Sequence, residues 1–201
     1  MKEKEHELTI EQCFDIWKNN IRTLIDTHPM QIISWEATRR CNLKCLHCGS
    51  PSEDVILNEE LKTYEVIEVF KQIARDFDMS QFRHINITGG EPFVRKDLID
   101  ILKEISRYSF YRNIDIQTNG LYIANNPDIL DDLICSGVTG LGISIDGLKS
   151  QHDILRNITG GFEKSVEAAR LAVQKGLIVT ISVVVHAKNL HEVEELYNYA
   201  K

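Results

Sequence analysis

The chain has 201 residues and a mass of 23.1 kDa, enough for one domain with a substantial hydrophobic core, and this length excludes a small fold held together by disulfides. Hydrophobic residues make up 43% and charged residues 26% of the sequence, so neither a disordered chain nor a fibrous repeat is expected. The 30 acidic residues outnumber the 23 basic ones, and the net charge of -7 has the wrong sign for general binding to nucleic acid.

A helix is predicted near the N-terminus. Thr9 and Gln12 form a capping-box pattern, and the apolar residues around and after them recur at helical spacing. These residues are Ile10, Cys13, Phe14, Trp17, Ile21, Leu24 and Ile25. The pattern predicts an amphipathic helix, and we divide the chain into an N-terminal helical extension over residues 1–30 and a core domain over residues 31–201.

Five short segments with strand-like composition follow. They cover residues 32–37, 84–88, 114–118, 141–146 and 178–185, and each precedes a helical pattern. The apolar stripes of the first two helices are Val66, Phe70, Ile73 and Phe77, and then Leu98, Ile101, Leu102 and Ile105. The third helix is predicted to have Asn126 as its N-cap and Pro127 as its first residue, and to end at Gly137. The fourth helix is predicted over residues 162–176, and the fifth begins at Asn189.

The alternation of strands and helices predicts an α/β fold with a parallel sheet, because parallel neighbours need crossover connections. Five βα units are too few to close an eight-stranded barrel, which usually takes about 250 residues. We therefore expect an open, partial barrel. A doubly wound open sheet is the alternative, because the order of the strands is not visible in the sequence. In both folds ligands bind at the carboxyl ends of the strands.

Neither a secretory signal nor a membrane span is expected from the sequence. Charged residues occur throughout residues 1–20, and the longest apolar run, at residues 181–185, is too short to cross a bilayer. We expect a cytoplasmic protein without membrane or nucleic-acid partners, in a compartment that keeps thiols reduced. Its five cysteines are then expected to bind metal, to catalyse or to pack rather than to form disulfides.

Three cysteines follow the first predicted strand with the spacing C-x3-C-x2-C. Cys41, Cys45 and Cys48 lie on one short loop, and thiolates are good ligands for iron and zinc. A structural site normally has four protein ligands, so three ligands leave a position where a substrate or cofactor can bind. Basic residues surround the thiolates, and we expect them to lower the thiol pKa values. They are Arg39, Arg40 and Lys44.

At these residues the sequence resembles the radical S-adenosylmethionine superfamily. The resemblance implies a partial (β/α)6-type TIM-like barrel, here with five βα units present and the sixth missing. It also implies that Cys41, Cys45 and Cys48 hold a [4Fe-4S] cluster whose fourth iron binds S-adenosylmethionine. His47 stands where the family usually has an aromatic residue, and its ring is expected to contact the cofactor. A zinc site formed by His47 and the three cysteines is the alternative.

The second predicted strand ends in a motif similar to the GGEP motif of this family. Gly89, Gly90, Glu91 and Pro92 form it, and the resemblance implies that it receives the methionine amino group of the cofactor. Paired glycines let the backbone approach a ligand closely. Thr88 is expected to support this contact. We expect a bulky residue at position 90 to weaken cofactor binding while sparing the cluster.

The third and fourth predicted strands also end in candidate cofactor-binding residues. Asn119 follows the third strand. The fourth ends in Ser-Ile-Asp-Gly, followed by His-Asp-x-x-Arg and Gly-Phe, which resembles the subgroup with a C-terminal SPASM extension. The resemblance implies that Ser144 and Arg156 help to hold the cofactor, because a guanidinium can donate two hydrogen bonds to a carboxylate. Asp146 is expected to accept hydrogen bonds from ribose hydroxyls.

The resemblance implies an enzyme that takes one electron from a ferredoxin or flavodoxin. It cleaves S-adenosylmethionine to methionine and a 5'-deoxyadenosyl radical, which abstracts hydrogen from a substrate. We expect a peptide or protein side chain as the substrate, with a tetrapyrrole or other small molecule as the alternative. A non-catalytic zinc-binding module and an inactive remnant are the alternatives from other classes. Because relatives continue into a sixth unit and a cysteine-rich tail, we expect this chain to be a fragment of a longer protein.

Overall fold

The computed structural model describes residues 9–27, 30–49, 60–80, 82–108, 111 and 113–201, and within them the chain forms a five-stranded parallel sheet. The strands are β1 (Ile32–Glu36), β2 (His84–Thr88), β3 (Ile114–Thr118), β4 (Val138–Ser144) and β5 (Ile178–Ser182). The α-helices are α1 (Ile10–Thr27), α2 (Thr63–Asp76), α3 (Leu98–Ile105), α4 (Leu121–Asn125), α5 (Ile129–Cys135), α6 (Lys149–Arg156), α7 (Gly161–Gln174) and α8 (Val193–Ala200).

The strands lie in the order β1-β2-β3-β4-β5, and every neighbouring pair in this sheet is parallel. A doubly wound sheet reverses its strand order at a switch point, whereas a barrel adds its strands in sequence. The predicted open, partial barrel of five βα units is therefore confirmed, and the doubly wound alternative is wrong. The carboxyl ends of all five strands lie at one edge of the sheet.

The sheet has an apolar face under the helices and a polar face opposite, because alternate residues of a strand point to opposite sides. The buried strand residues of the helix-covered face include Ile85, Ile87, Ile114, Ile116, Leu141 and Ile143. On the other face Asn86 pairs with Asp115, and Gln117 pairs with Gly142. A Cβ atom on Gly142 would lie 2.1 Å from Gln117 Oε1, so glycine leaves room for that side chain.

The elements between β3 and β5 differ from the sequence prediction. β4 begins at Val138 rather than at residue 141, because the glycines within it weaken the apolar pattern. The third predicted helix corresponds to α5 alone, and Asp128 rather than Asn126 is its N-cap. The sequence pattern also misses α4, which ends just before the predicted helix begins. The sequence pattern misses α6, which has few apolar residues. In α2, Phe77 is an exposed C-cap and not part of the apolar stripe.

The N-terminal helix begins as predicted, with a capping box. The Thr9 amide donates to Gln12 Oε1 at 2.9 Å, and the Gln12 amide donates to Thr9 Oγ1 at 3.2 Å. Phe14 and Trp17 are exposed, so these two residues of the predicted apolar face are not covered by the described part of the chain. The side chains of residues 20–27 lie outside the described residues, and the division of the chain after residue 30 stays a prediction. No described helix combines the length and the hydropathy needed to cross a membrane.

Candidate functional site

The candidate site is built on the loop after β1 that carries the three spaced cysteines. On one side the Gly90 amide donates to the Thr38 carbonyl at 2.7 Å. On the other side the Leu46 amide donates to the Leu155 carbonyl of α6 at 2.8 Å. The backbone that leads into the cysteine loop, residues 41–48, is therefore fixed to the end of β2, and the loop itself is fixed to α6. This is the edge of the sheet where ligands bind in barrels.

The three thiols differ in exposure. Cys41 and Cys45 are partly buried, Cys48 is exposed, and none of the five cysteines, all of which are described, forms a disulfide. Burial raises the pKa of the Cys41 and Cys45 thiols, and the neighbouring cysteines add to this rise. The Arg156 guanidinium opposes it at Cys45, where Nη1 lies 3.9 Å from Sγ. A bound metal cluster would stabilise the thiolates that burial disfavours.

The expectation that the adjacent basic residues lower these pKa values is wrong for Cys41 and Cys45, because burial outweighs any attraction to them. Arg40 instead pairs with Glu60, at 3.0 Å from Nη2 to Oε2. Thr38 also donates to Glu60, so this pair braces the backbone that leads into the cysteine loop. The residue with a positive charge beside a thiol is Arg156, which follows Cys45 by more than a hundred positions.

The thiols fit a multinuclear cluster better than a single ion. Among the described residues, no group of three or more His, Cys, Asp or Glu side chains is arranged to hold one metal ion. A zinc site needs four ligands around one atom, and His47 Nε2 already lies 3.1 Å from Asp146 Oδ2. In a [4Fe-4S] cluster each cysteine binds a different iron, so the thiolates do not have to converge on one point. Three cysteines on one loop are a donor set that fits this cluster.

The two glycines at the end of β2 pack against the backbone before the cysteine loop. Gly89 has a φ angle of +152°, and a Cβ atom there would lie 2.4 Å from Thr38 O. A Cβ atom on Gly90 would lie 2.2 Å from Arg40 O. The space that a side chain would need is filled by the backbone that leads into Cys41. A larger residue at position 90 must displace this backbone, which revises the expectation that it would spare the cluster.

The Glu91 side chain joins the ends of β2 and β3. It is only 1% exposed; its Oε1 accepts from the Thr118 hydroxyl at 2.8 Å and its Oε2 from the Asn119 amide at 2.9 Å. Burial raises the pKa of Glu91, although these hydrogen bonds oppose the rise. Asn119 in turn donates from Nδ2 to Asn42 Oδ1 at 2.7 Å, within the cysteine loop. Glu91 and Asn119, both predicted to bind the cofactor, thus contact the protein itself and position the loop.

Asp146, just beyond β4, connects four parts of the site. Its fully buried carboxylate accepts from Arg156 Nε at 2.7 Å and lies 3.1 Å from His47 Nε2. Its other oxygen accepts from the Val184 amide at 2.9 Å. The structure therefore brings three predicted residues, His47, Asp146 and Arg156, together beside Cys45. Because both oxygens of Asp146 already contact protein groups, this residue acts by holding Arg156 and His47.

The remaining predicted residues lie at the same edge of the sheet. Thr88 and Ser144 are the last residues of β2 and β4, and both are partly buried. Pro92 begins a short 3₁₀ turn, whose N-cap is Glu91. The strand ends therefore place Thr88, Pro92 and Ser144 along one edge, where the cysteine loop also lies.

Two buried residues of the site are missed by the sequence reasoning. The fully buried Asn189 donates from Nδ2 to the Asp146 carbonyl at 2.7 Å and to the Val184 carbonyl at 2.8 Å. His152 Nδ1 accepts from the Asp146 amide at 3.2 Å, and burial lowers the pKa of His152 to about 4. His152 belongs to the His-Asp-x-x-Arg pattern, which is a usable signal. The signal at Asn189 is only that of a helix start.

Comparison with known proteins gives a family and two relatives. The model of the family described as Radical SAM superfamily matches residues 35–200. The pre-heme d1 synthase of Dinoroseobacter shibae is 30% identical over 169 residues, which cover 84% of this chain and 40% of that protein. The PqqA peptide cyclase of Rhizobium meliloti is 30% identical over 180 residues, which cover 89% of this chain and 46% of that protein. The chain thus spans less than half the length of these curated relatives.

A solved structure has the same fold. The crystal structure of Streptococcus suis SuiB bound to S-adenosylmethionine matches with a TM-score of 0.68 and 15% identity, over 100% of this chain and 44% of that one. At this identity the match shows a shared fold, in agreement with the strand order described above.

Proposed function

This chain belongs to the radical SAM superfamily, and from that premise we propose that it binds a [4Fe-4S] cluster through Cys41, Cys45 and Cys48 and cleaves S-adenosylmethionine reductively. Members of this superfamily are enzymes that use this cluster and this cofactor. The observation that carries the proposal is the placement of three thiols on one loop at the carboxyl edge of the sheet, where the backbone before the loop is fixed to β2 and the loop itself to α6.

Cys41, Cys45 and Cys48 would hold the cluster, which would supply one-electron reduction of S-adenosylmethionine, with a ferredoxin or flavodoxin as the electron donor. Cleavage of a carbon-sulfur bond would then give methionine and a 5'-deoxyadenosyl radical able to abstract hydrogen from a substrate. The chain's own residues hold the cluster and orient the cofactor. Arg156 lies beside Cys45 and offsets the negative charge of the thiolates. Asp146 fixes the orientation of Arg156 through the contact to Nε.

We place the cofactor along the strand ends beside the cysteine loop. The Arg156 guanidinium suits the carboxylate of the methionine group, and the hydroxyls of Thr88 and Ser144 lie at the same edge. In this proposal the His47 ring contacts the adenosyl group. The residues that shape this edge and keep the cysteine loop against it are Gly89, Gly90, Glu91, Pro92, Asn119 and Asp146.

The test is anaerobic reconstitution with iron and sulfide, followed by reduction with S-adenosylmethionine and chromatography for 5'-deoxyadenosine. We expect about four irons per chain and formation of this product. Cys45→Ser should lose both, whereas Cys135→Ser, which changes an exposed cysteine on α5, should keep both. A chain that assembles the cluster but forms no 5'-deoxyadenosine contradicts the proposed activity, and retention of all iron in Cys45→Ser contradicts the ligand assignment.

We propose a peptide or protein side chain as the substrate. One relative is named as a peptide cyclase and another as a pre-heme d1 synthase, and a tetrapyrrole or other small molecule is the alternative substrate. The face of the sheet opposite the helices carries Asn86, Asp115 and Gln117, which suits the hydrogen-bonding groups of a peptide better than an apolar macrocycle. Formation of 5'-deoxyadenosine should rise on addition of peptides. A rise with tetrapyrroles alone contradicts this substrate class.

A further inference from the structure

The cysteine loop lies between two stretches of chain that contact each other, residues 37–40 before it and residues 60–63 after it. Arg40 and Glu60 form a double contact between these stretches, in which Nε donates to Oε1 and Nη2 donates to Oε2, each at 3.0 Å. The Thr38 hydroxyl also donates to Oε1 of Glu60. The Glu60 side chain is 15% exposed, so solvent and salt screen this ion pair only in part. One carboxylate after the loop thus holds two residues before it.

A second guanidinium joins the same two stretches. Arg95 follows the glycine motif at the end of β2 and is only 5% exposed. Its Nη1 donates to the Ala37 carbonyl at 2.9 Å, and its Nη2 donates to the Leu61 carbonyl at 2.7 Å. A guanidinium is planar and its N–H groups point in fixed directions. Arg95 therefore sets the separation of one backbone carbonyl before the loop from one after it.

The position of Arg95 is itself fixed by three elements of the fold. Asp97, the N-cap of α3, accepts from Nε at 2.9 Å and from Nη2 at 3.1 Å. The hydroxyl of Thr63, the first residue of α2, donates to Asp97 at 2.6 Å. The ring of Trp35 in β1 lies 5.5 Å from the guanidinium carbon. The contacts between the two stretches are thus anchored to β1, α2 and α3.

These contacts end directly beside the first thiol of the loop. Cys41 follows Arg40 in the sequence, and the Arg40 carbonyl accepts from the Glu91 amide at 2.8 Å. Arg40 is therefore held by Glu60 through its side chain and by Glu91 through its backbone. A loop whose ends are already held loses less conformational entropy when it binds a ligand.

We propose that Glu60 and Arg95 are positioning residues for the cluster, which close the base of the segment that carries the three cysteines. In the metal-free chain this closure holds Cys41 in place, and in the loaded chain it slows the loss of iron. The inference rests on the proposed function for the identity of the bound group. Both residues act through the backbone on either side of the loop.

The first test measures how fast iodoacetamide alkylates each cysteine of the metal-free chain, resolved by mass spectrometry. In Glu60→Ala we expect Cys41 to react about tenfold faster than in the wild type, because the double contact to Arg40 is lost. Glu60→Gln removes the same charge but keeps an acceptor, so it should raise the rate less. Cys135, exposed on α5, is the internal control and should react equally fast in all three proteins. Equal Cys41 rates in Glu60→Ala and the wild type overturn the inference.

The second test follows the transfer of iron from the reconstituted chain to a chelator. Glu60→Ala should release iron about tenfold faster than the wild type. Arg95→Lys keeps a cation for Asp97 but cannot donate to both carbonyls, so it should also release iron faster. The double variant Arg40→Ala/Glu60→Ala should release iron no faster than Glu60→Ala, because both changes break the same contact. Release rates in Glu60→Ala and Arg95→Lys that equal the wild-type rate overturn the inference.

Ile105→Val is the control that separates positioning from a general loss of stability. Ile105 is buried in the core at the opposite end of α3 from Asp97, and its shortening lowers the free energy of unfolding. This variant should keep the wild-type rates of Cys41 alkylation and of iron release. An acceleration as large as that of Glu60→Ala overturns the inference. A wild-type chain that takes up no iron refutes the proposed function instead, and Cys41 alkylation in the metal-free chain still decides the inference.

Discussion

Glu91 and Asp146 are two buried carboxylates at the carboxyl edge of one sheet, and the chain holds them in different ways. Glu91 accepts hydrogen bonds from a hydroxyl and from backbone amides, all of them neutral donors, and burial raises its pKa. Asp146 faces the Arg156 guanidinium at 2.7 Å and the His47 imidazole at 3.1 Å. Neutral donors offset the desolvation of a carboxylate less than a cation does. Glu91 joins the ends of two strands, whereas Asp146 joins Arg156 to His47.

The largest effect is expected from Asp146→Ala. The change leaves the largely buried Arg156 without its counterion and removes an acceptor from the Val184 amide. Loss of one partner of a buried pair costs about 3 to 5 kcal/mol, and we expect this decrease in the free energy of unfolding, measured with urea. Asp146→Asn should lose less, because it keeps an oxygen acceptor. If Asp146→Ala lowered the free energy of unfolding by less than Glu91→Ala does, the comparison between the two carboxylates would be wrong.

Glu91→Ala should cost less, about 2 to 3 kcal/mol. It leaves the Thr118 hydroxyl and the Asn119 amide buried without their acceptor, but it strands no charge. Glu91→Gln, which keeps one acceptor and loses the unfavourable buried charge, should lie within about 1 kcal/mol of the wild type. Equal losses for the alanine and glutamine variants, in the same urea measurement, would contradict the role given to these hydrogen bonds.

The neighbourhood of Asp146 should also make stability depend on pH through His152. Burial lowers the pKa of His152 from 6.5 to about 4, so the unfolded chain binds a proton where the folded chain does not. The stability gained from burying His152 in its neutral form is fully present above pH 6.5. It is lost as the pH falls from 6.5 towards 4, because the unfolded chain takes up a proton in this range. His152→Asn keeps an acceptor near the position of Nδ1 without titrating, and its free energy of unfolding should fall less over this range. Parallel pH profiles for both proteins would exclude the assignment.

The smallest effect is expected from Asn42→Ala, which tests the hydrogen bonds that connect Glu91 through Asn119 to the cysteine loop. The change removes the acceptor for Asn119 Nδ2 at the exposed end of this chain of contacts. The free energy of unfolding should fall by about 1 kcal/mol or less. Iron should also dissociate faster from the reconstituted chain, measured by transfer to a chelator. An unchanged rate would show that Glu91 and Asn119 do not position the loop.

The sequence predicts β2 and β3 with the bounds that the structure gives, because turn residues flank their alternating apolar residues. It places the start of β4 too late, because Gly140 and Gly142 carry no side chain to mark a strand. The cysteine spacing identifies the candidate cluster ligands. The ring contact between His186 and His47 and the hydrogen bond from Asn189 to the Asp146 carbonyl join distant parts of the chain, and no local pattern encodes such contacts.

The glycines at the end of β2 show a second limit of sequence reasoning. A Gly-Gly pair indicates that another group approaches the backbone closely, and the sequence alone suggests that this group is a ligand. In the structure the approaching group is the backbone at Thr38 and Arg40. The sequence predicts the close approach at these glycines, but it does not identify the approaching group, which belongs to a segment about fifty residues earlier in the chain.

The sequential order of the strands has a consequence for biosynthesis. Proteins emerge from the ribosome with the N-terminus first. Cys45 is therefore exposed long before Arg156, and the segment from Val184 to Asn189 that completes the surroundings of Asp146 emerges later still. Nascent chains that end before these residues have the thiols but lack their supports. If the loop holds a cluster as proposed, iron captured early would be held without these supports, which are complete only after β5 and the residues that follow it have left the ribosome.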